Sequence, residues 1–273
     1  MKKEEVDIAI DWAAVEGWNP GLYDSRCFYD ADPDGFFIAF LDDEPVGCIS
    51  AVSYSDSFGF IGFYIVKTEF RGNGYGIRLW KNALEYLKDR NVGLDGVLAQ
   101  QKNYEKSGFR LAYRNIRYRG VGPGKKPAGP HIVPLSHVPL NKVEAYDDKL
   151  FPAPRHRFIK CWINQPESIA LGILIDQRLS GYGVLRTCRT GFKIGPLFAD
   201  DVSLAEELLD TLIGNTPGGK PVFLDTPAAN PSAVGLAQKK GMQKVFETVR
   251  MYNKENPRIE LDRVFGVTSF ELG

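Results

Sequence analysis

An excess charge of either sign, paired cysteines and long apolar runs are all missing from this sequence, and histidine is scarce. Lysine plus arginine and aspartate plus glutamate both number 34, so no global field selects a polyanion or an anionic membrane. We therefore expect no nucleic acid and no membrane as partner. No run of about 18 apolar residues occurs, and Met1 to Ile10 carries charges without an apolar targeting core. Both features lead to the expectation of a soluble, cytoplasmic protein. The four cysteines, Cys27, Cys48, Cys161 and Cys188, stand far apart without paired metal-ligand spacing, which predicts reduced, mostly buried thiols and no metal. Of the three histidines, His131, His137 and His156, none lies near the stretch that carries the strongest signal.

That stretch is Phe60 to Leu87. An apolar, β-branched and aromatic run meets glycines at Gly72, Gly74 and Gly76, and the chain then changes to a spacing of 3 to 4, with Ile77, Trp80, Leu84 and Leu87 on one face. The grammar is strand, tight glycine loop, helix. Successive amides in such a loop, with the free amides of a first helical turn, form a pocket for phosphate or pyrophosphate. Two common phosphate loops are excluded. Gly76 is followed by Ile77 and Arg78, so the lysine and magnesium-binding hydroxyl of the ATP and GTP loops are absent, which disfavours a kinase or other nucleotide enzyme. The glycine spacing also differs from Gly-x-Gly-x-x-Gly, and the loop follows expected antiparallel strands, Phe36 to Leu41 and Pro45 to Tyr54, instead of opening a βαβ unit.

Arg71-Gly72-Asn73-Gly74-Tyr75-Gly76 resembles the acyl-coenzyme A loop of the Gcn5-related N-acetyltransferases. A second signature of that family, a tyrosine shortly before a helix-ending Gly-Phe, is matched by Tyr104 and Gly108-Phe109. The pair covers residues 1–120. The resemblance implies an α/β fold, with a mixed, mostly antiparallel central sheet flanked by helices, and acetyl-coenzyme A as co-substrate. It implies that the backbone of Tyr64, Ile65 and Val66 bonds the pantetheine arm like an added strand, and that Gly72, Asn73, Gly74, Tyr75 and Gly76 hold the pyrophosphate. Arg71 either adds charge there or fixes the loop, and Gln100, Gln101 and Asn103 are candidate pantetheine contacts. Tyr104 is implied as the general acid that protonates the departing sulfur, and a backbone amide near Ile65 or Val66 polarises the thioester carbonyl. The sequence departs from the family in two ways. Phe58 to Val66 lacks the glutamate that many members use as base, leaving Asp24, Asp34, Glu16, ordered water or bulk deprotonation. The positions seven and four before Tyr104 are Val97 and Gln100 instead of asparagine and alanine.

Glycine and proline crowd Gly120 to Pro130, so a boundary is expected there. Residues 1–120 form the expected coenzyme-binding domain, 121–135 a linker and 136–273 a second domain. Beyond the linker a similar order of elements recurs, and Asn230, Ala233, Leu236 and Gly241-Met242 again fit the family pattern. Here the tyrosine position is Ala237, and Asp200-Asp201 stand where phosphate would sit. The second domain therefore reads as a degenerate copy without coenzyme.

Smaller readings complete the sequence. Val6 to Ile10 reads as a short strand entering a helix, and Phe158 to Ile163 reads as a strand. Arg155-His156-Arg157 reads as a solvated basic face or a local contact, and Arg263 to Phe270 as a last strand. The resulting expectation is an N-acetyltransferase acting on a small-molecule or peptide amine through a ternary complex, as a monomer or homodimer. A coenzyme A-binding regulator without turnover is the alternative.

Overall fold

The computed structural model describes residues 1–124 and 129–273. The first part of the chain contains α1 (Val6–Val15), α2 (Asp24–Ala31), β1 (Phe36–Leu41), β2 (Glu44–Ser53), β3 (Phe58–Val66), α3 (Tyr75–Tyr86), β4 (Asn91–Val97), α4 (Gln101–Lys106) and β5 (Arg110–Val121). After it come β6 (Ile132–Pro134), α5 (Leu140–Asp147), α6 (His156–Trp162), β7 (Ser168–Ile175), β8 (Arg178–Thr187), β9 (Phe192–Ala199), α7 (Val202–Gly214), β10 (Pro221–Pro227), α8 (Pro231–Lys239), β11 (Gln243–Tyr252) and β12 (Val264–Gly266).

All strands join one 12-stranded sheet, ordered β1-β2-β3-β4-β11-β5-β10-β9-β8-β7-β6, with β12 on β9. The mixed α/β fold with helices on a central sheet is thus present, but the expected separate sheet for each half is not. The two halves follow the same plan. β1, β2 and β3 are antiparallel and β3 runs parallel to β4; β7, β8 and β9 are antiparallel and β9 runs parallel to β10. Each half then sends its next strand across: β5 pairs with β10, β11 pairs with β4, and the two crossed strands pair with each other at the sheet centre.

The crossing is locked by buried charge. Val92-Gly93-Leu94-Asp95 on β4 and Val222-Phe223-Leu224-Asp225 on β10 repeat the same pattern, and each aspartate faces an arginine of the other half directly across the strands. Arg250 donates to both oxygens of Asp95 at 2.8 and 2.6 Å, and Arg117 to both oxygens of Asp225 at 2.6 and 2.7 Å. Two charge-assisted hydrogen bonds in each pair offset the loss of water around the buried groups, so each half meets the other through a matched charge pair.

Several local expectations are corrected. Val6 to Ile10 is helical from its start, because Val6, Ala9, Ile10 and Ala13 bury one face at 3 to 4 spacing, a pattern that outweighs the local alternation. Phe158 to Ile163 belongs to α6 and its end, with Phe158, Ile159 and Trp162 buried on one side. Of the two readings of the basic cluster, Arg155 takes the local contact, buried against Asp147 at 2.8 and 2.9 Å. Cys27 on α2 and Cys161 on α6 form a disulfide, whereas Cys48 and Cys188 are free and buried. Part of the expected linker is ordered as β6 and the turn Leu135–His137; the remainder includes 125–128, outside the described residues. Only Val264–Gly266 of the last segment is a strand, and residues 267–273 continue as a buried tail. Among the described residues, no helix is long and apolar enough to cross a membrane.

Candidate active site

A cavity of about 570 Å³ opens beside β3 where the sheet splits. β3 and β4 pair in parallel only from Phe58↔Asn91 to Ile61↔Leu94. Beyond that point β3 carries one residue more than β2 between the pairs Cys48↔Ile65 and Ser50↔Gly62, a bulge centred on Phe63, whose φ is +46°. The bulge re-aims the strand, so Tyr64, Ile65 and Val66 face the cavity with no strand on their far side. An extended ligand arm can bond such a free edge as an added strand.

The glycine loop closes one end. Gly72, Gly74 and Gly76 line the cavity together with Arg71. Gly72 and Gly74 have φ of +83° and +85°, in the left-handed region where a Cβ is strained. Gly76 is needed for a different reason: a Cβ there would stand 2.8 Å from the Tyr64 hydroxyl. Gly74 caps α3 without a side-chain hydrogen bond, leaving the first-turn amides free for an anion. Arg71 turns away from that position. Its Nε donates to Val66 O at 2.8 Å and its Nη2 to Glu16 Oε1 at 2.6 Å, so of its two expected roles the geometry shows the fixing of the loop.

Asn73, Tyr75 and Asn103 are not among the lining residues. Asn73 Nδ2 bonds the Phe70 and Arg71 carbonyls, Tyr75 packs edge-on against Phe70, and Asn103 Nδ2 donates to Gln100 Oε1 at 2.7 Å. Gly74→Ala should cost about 1–2 kcal/mol of backbone strain in the loop and weaken coenzyme A binding about tenfold. Calorimetric titration beside a thermal melt checks both.

Tyr104 stands at the other end, on α4, buried between Trp80 and the Cβ-less face of Gly96. Burial, with the neighbouring Tyr64, pushes its hydroxyl up to about 12. It thus remains a proton donor throughout the neutral range.

Sequence reasoning missed the wall contributed from the second half: Phe246 and Thr248 of β11, and Phe270 and Glu271 of the tail. Their only local signal was the repeated Leu-Asp pattern of β4 and β10, which hints at the crossed strands that carry them. The candidate bases are placed as follows. Glu16 lines the cavity but pairs with Arg71, Asp24 is buried against Arg186, and Asp34 lies in an exposed turn before β1. Among the described residues, no group of His, Cys, Asp and Glu side chains is placed to hold a metal ion.

The corresponding region of the second half differs. β9 has its own bulge, at Gly195-Pro196 against β8, where the carbonyls of Val267 and Thr268 pack so closely on Gly195 that a Cβ there would overlap them. At the start of α7 the cap is Asp201, not Ser203 as its spacing with Glu206 suggests. Asp201 accepts from the amides of Ser203 and Leu204 at 2.8 and 3.0 Å. The bonds from the Ser203 side chain and the Leu204 amide hold its carboxyl below the usual range.

A split sheet with a free strand edge, an uncapped glycine loop and a buried tyrosine are brought together around one cavity, as the acyl-coenzyme A resemblance leads one to expect. The comparisons agree. Residues 5–109 match the acetyltransferase (GNAT) family, and residues 143–266 match an acetyltransferase (GNAT) domain. A holothin acyltransferase from Pseudoalteromonas sp. (strain SANK 73390) is 31% identical over 270 residues, spanning 99% of this chain and 92% of that protein. The chain belongs to the GNAT acetyltransferase family, a membership that supports coenzyme A-dependent acyl transfer.

Among solved structures, an acetyltransferase-like protein from Pyrococcus horikoshii superposes with a TM-score of 0.83 at 22% identity, over 100% of this chain and 94% of that one. A tandem GNAT protein from the clavulanic acid biosynthesis pathway gives 0.61 at 13% identity, over 94% and 98%. At these identities the structural likeness establishes the fold alone.

Proposed function

We propose that the chain transfers an acetyl group from acetyl-coenzyme A to a primary amine of a small molecule, by direct attack in a ternary complex. Residues 1–120 supply the coenzyme site, and 136–273 are a degenerate copy that walls the acceptor side. The observation that carries this reading is the contrast between the two bulged strands. At β3 a cavity opens beside the bulge and the helix start is uncapped; at β9 tail carbonyls pack on Gly195 in the bulge and the helix start is capped by Asp201.

In this reading the free edge of Tyr64 to Val66 bonds the pantetheine arm and the amides of Gly72 to Gly76 hold the pyrophosphate. A backbone amide of the bulged strand polarises the thioester carbonyl. Tyr104 gives its proton to the departing sulfur. The acceptor side is walled by Trp18, Phe246 and Phe270, which favours a small, partly apolar amine over a peptide chain. Holothin, named as the substrate of the Pseudoalteromonas relative, belongs first in an acceptor panel.

The absence of an acidic residue from β3 favours the second reading, a coenzyme A-binding regulator. Thiol release from acetyl-coenzyme A across an amine panel separates the two. Saturable turnover with at least one amine is expected, and tight coenzyme binding without turnover for every amine would support the regulator.

A further inference from the structure

The base missing from β3 has a replacement in the tail of the second half. We propose that Glu271 is a catalytic residue that accepts the proton of the attacking amine; the inference rests on the acetyltransferase reading above. Three carboxylates line the cavity among the described residues: Glu16, Asp95 and Glu271. Glu16 is paired with Arg71, and Asp95 is held by both arms of Arg250. Glu271 forms no ion pair among the described residues, although its side chain is buried at 2% exposure, and its Oε1 is sealed from water without a hydrogen-bond partner. A buried carboxylate oxygen left without a donor is costly, and native interiors seldom keep one unless a ligand supplies it. Thr248 of β11 also lines the cavity, and its buried Oγ1 likewise lacks a partner. Two lining residues that each keep an unpaired buried oxygen point to a ligand with N–H or O–H groups.

The tail is held at the reacting centre. The carbonyl of Glu271 lies so close to Gly62 that a Cβ there would overlap it, and Gly62 directly precedes the bulged Phe63. The next residues are pinned: Tyr54 Oη donates to Leu272 O at 2.9 Å, Leu272 N to Ser269 Oγ at 3.0 Å, and Arg155 Nη1 to Gly273 O at 3.3 Å. Glu271 is therefore fixed beside the strand whose amide would polarise the carbonyl, as a base requires.

The step balances as follows. The amine nitrogen forms the N–C bond and its proton passes to the Glu271 carboxylate. The C–S bond breaks and the thiolate takes the Tyr104 proton. After release, Glu271 loses its proton to solvent and Tyr104 regains one.

The charged groups that act on Glu271 are Arg117 of β5, Arg186 of β8 and Lys193 of β9; Cys188 and Asp225 of β10 neighbour those cations, with Asp24 of α2 behind Arg186. Glu271→Gln keeps the size and should lower kcat by about 10²–10⁴-fold, with coenzyme A affinity within twofold of wild type. Its kcat should climb with pH where the wild-type profile is level, because hydroxide then replaces the missing base. A merely structural role would lower kcat equally at every pH. If the glutamine variant does not fold, Glu271→Asp carries the test: the shortened carboxylate should lose at least tenfold in kcat while coenzyme A affinity and the urea midpoint stay at their wild-type values, both of which a structural role would lower. Wild-type kcat and profile in the variant that folds would overturn the assignment of Glu271 alone. A wild-type protein that binds coenzyme A and acetylates no amine would overturn the acetyltransferase reading, and the inference with it.

Discussion

Tyr104→Phe should lower kcat by about 10²-fold or more while leaving coenzyme A affinity unchanged. The ring fills the space beside Gly96 and stacks near Trp80 and, through Trp80, Phe109, so phenylalanine keeps that packing and removes only the hydroxyl. Tyr104 lines the cavity with the glycines of the loop, and in the proposed reaction its hydroxyl supplies the proton for the departing sulfur. With its pKa raised to about 12 by burial and by Tyr64, Tyr104 stays protonated across an assay range of about pH 6 to 9. Any limb in the wild-type pH profile over that range therefore belongs to another group, and Tyr104→Phe should lower the whole profile without changing its shape. An unchanged kcat would leave Tyr104 as a packing residue.

Asp225→Ala should lower stability by about 3–5 kcal/mol, read as a fall in urea midpoint at constant m-value. The loss is large because Arg117 would remain buried without its bidentate partner, with Lys193 and Arg186 close by. Burial alone would raise the Asp225 carboxyl; attraction to Arg117 and its hydrogen bonds, with help from Lys193 and Arg186, outweighs that and holds it below its usual value. The sign follows from linkage: a depressed carboxyl stabilises fully above its unfolded pKa, near 4. That stability is lost as pH falls further toward the folded value. Wild type should therefore lose stability on acidification below about pH 4, and Asp225→Ala should show a smaller loss over the same interval. A cost below about 1 kcal/mol would mean that the crossed strands are held by apolar packing and not by the charge pair.

The parts of the site made by contiguous residues were legible from sequence. The strand, the glycines at 72, 74 and 76 and the start of α3 lie within one short stretch, and each glycine has a local reason to be there. Tyr104 was legible through its spacing from Gly108-Phe109. The repeated order of elements was also legible, because α8 keeps its asparagine cap, with Asn230 accepting from the Ala233 amide at 3.1 Å.

What escaped is long-range. The exchange of β5 and β11 depends on Arg117 meeting Asp225 and Arg250 meeting Asp95, partners 108 and 155 residues apart. The Cys27–Cys161 link spans 134 residues and carries no local mark. Glu271 looked like an ordinary charged residue near the end of the sequence, because only the folded tail brings it to Gly62. Short apolar runs such as Phe158 to Trp162 suit either a strand or a helix, and only packing against the core decides between them.

The central claim is that one half of a duplicated fold binds coenzyme A while the other half has closed its site. Calorimetric titration of the purified chain with coenzyme A tests this most directly. The account predicts one equivalent bound per chain, with affinity lowered by Gly74→Ala and unaffected by Asp201→Asn. A stoichiometry of two, or of zero, would contradict it.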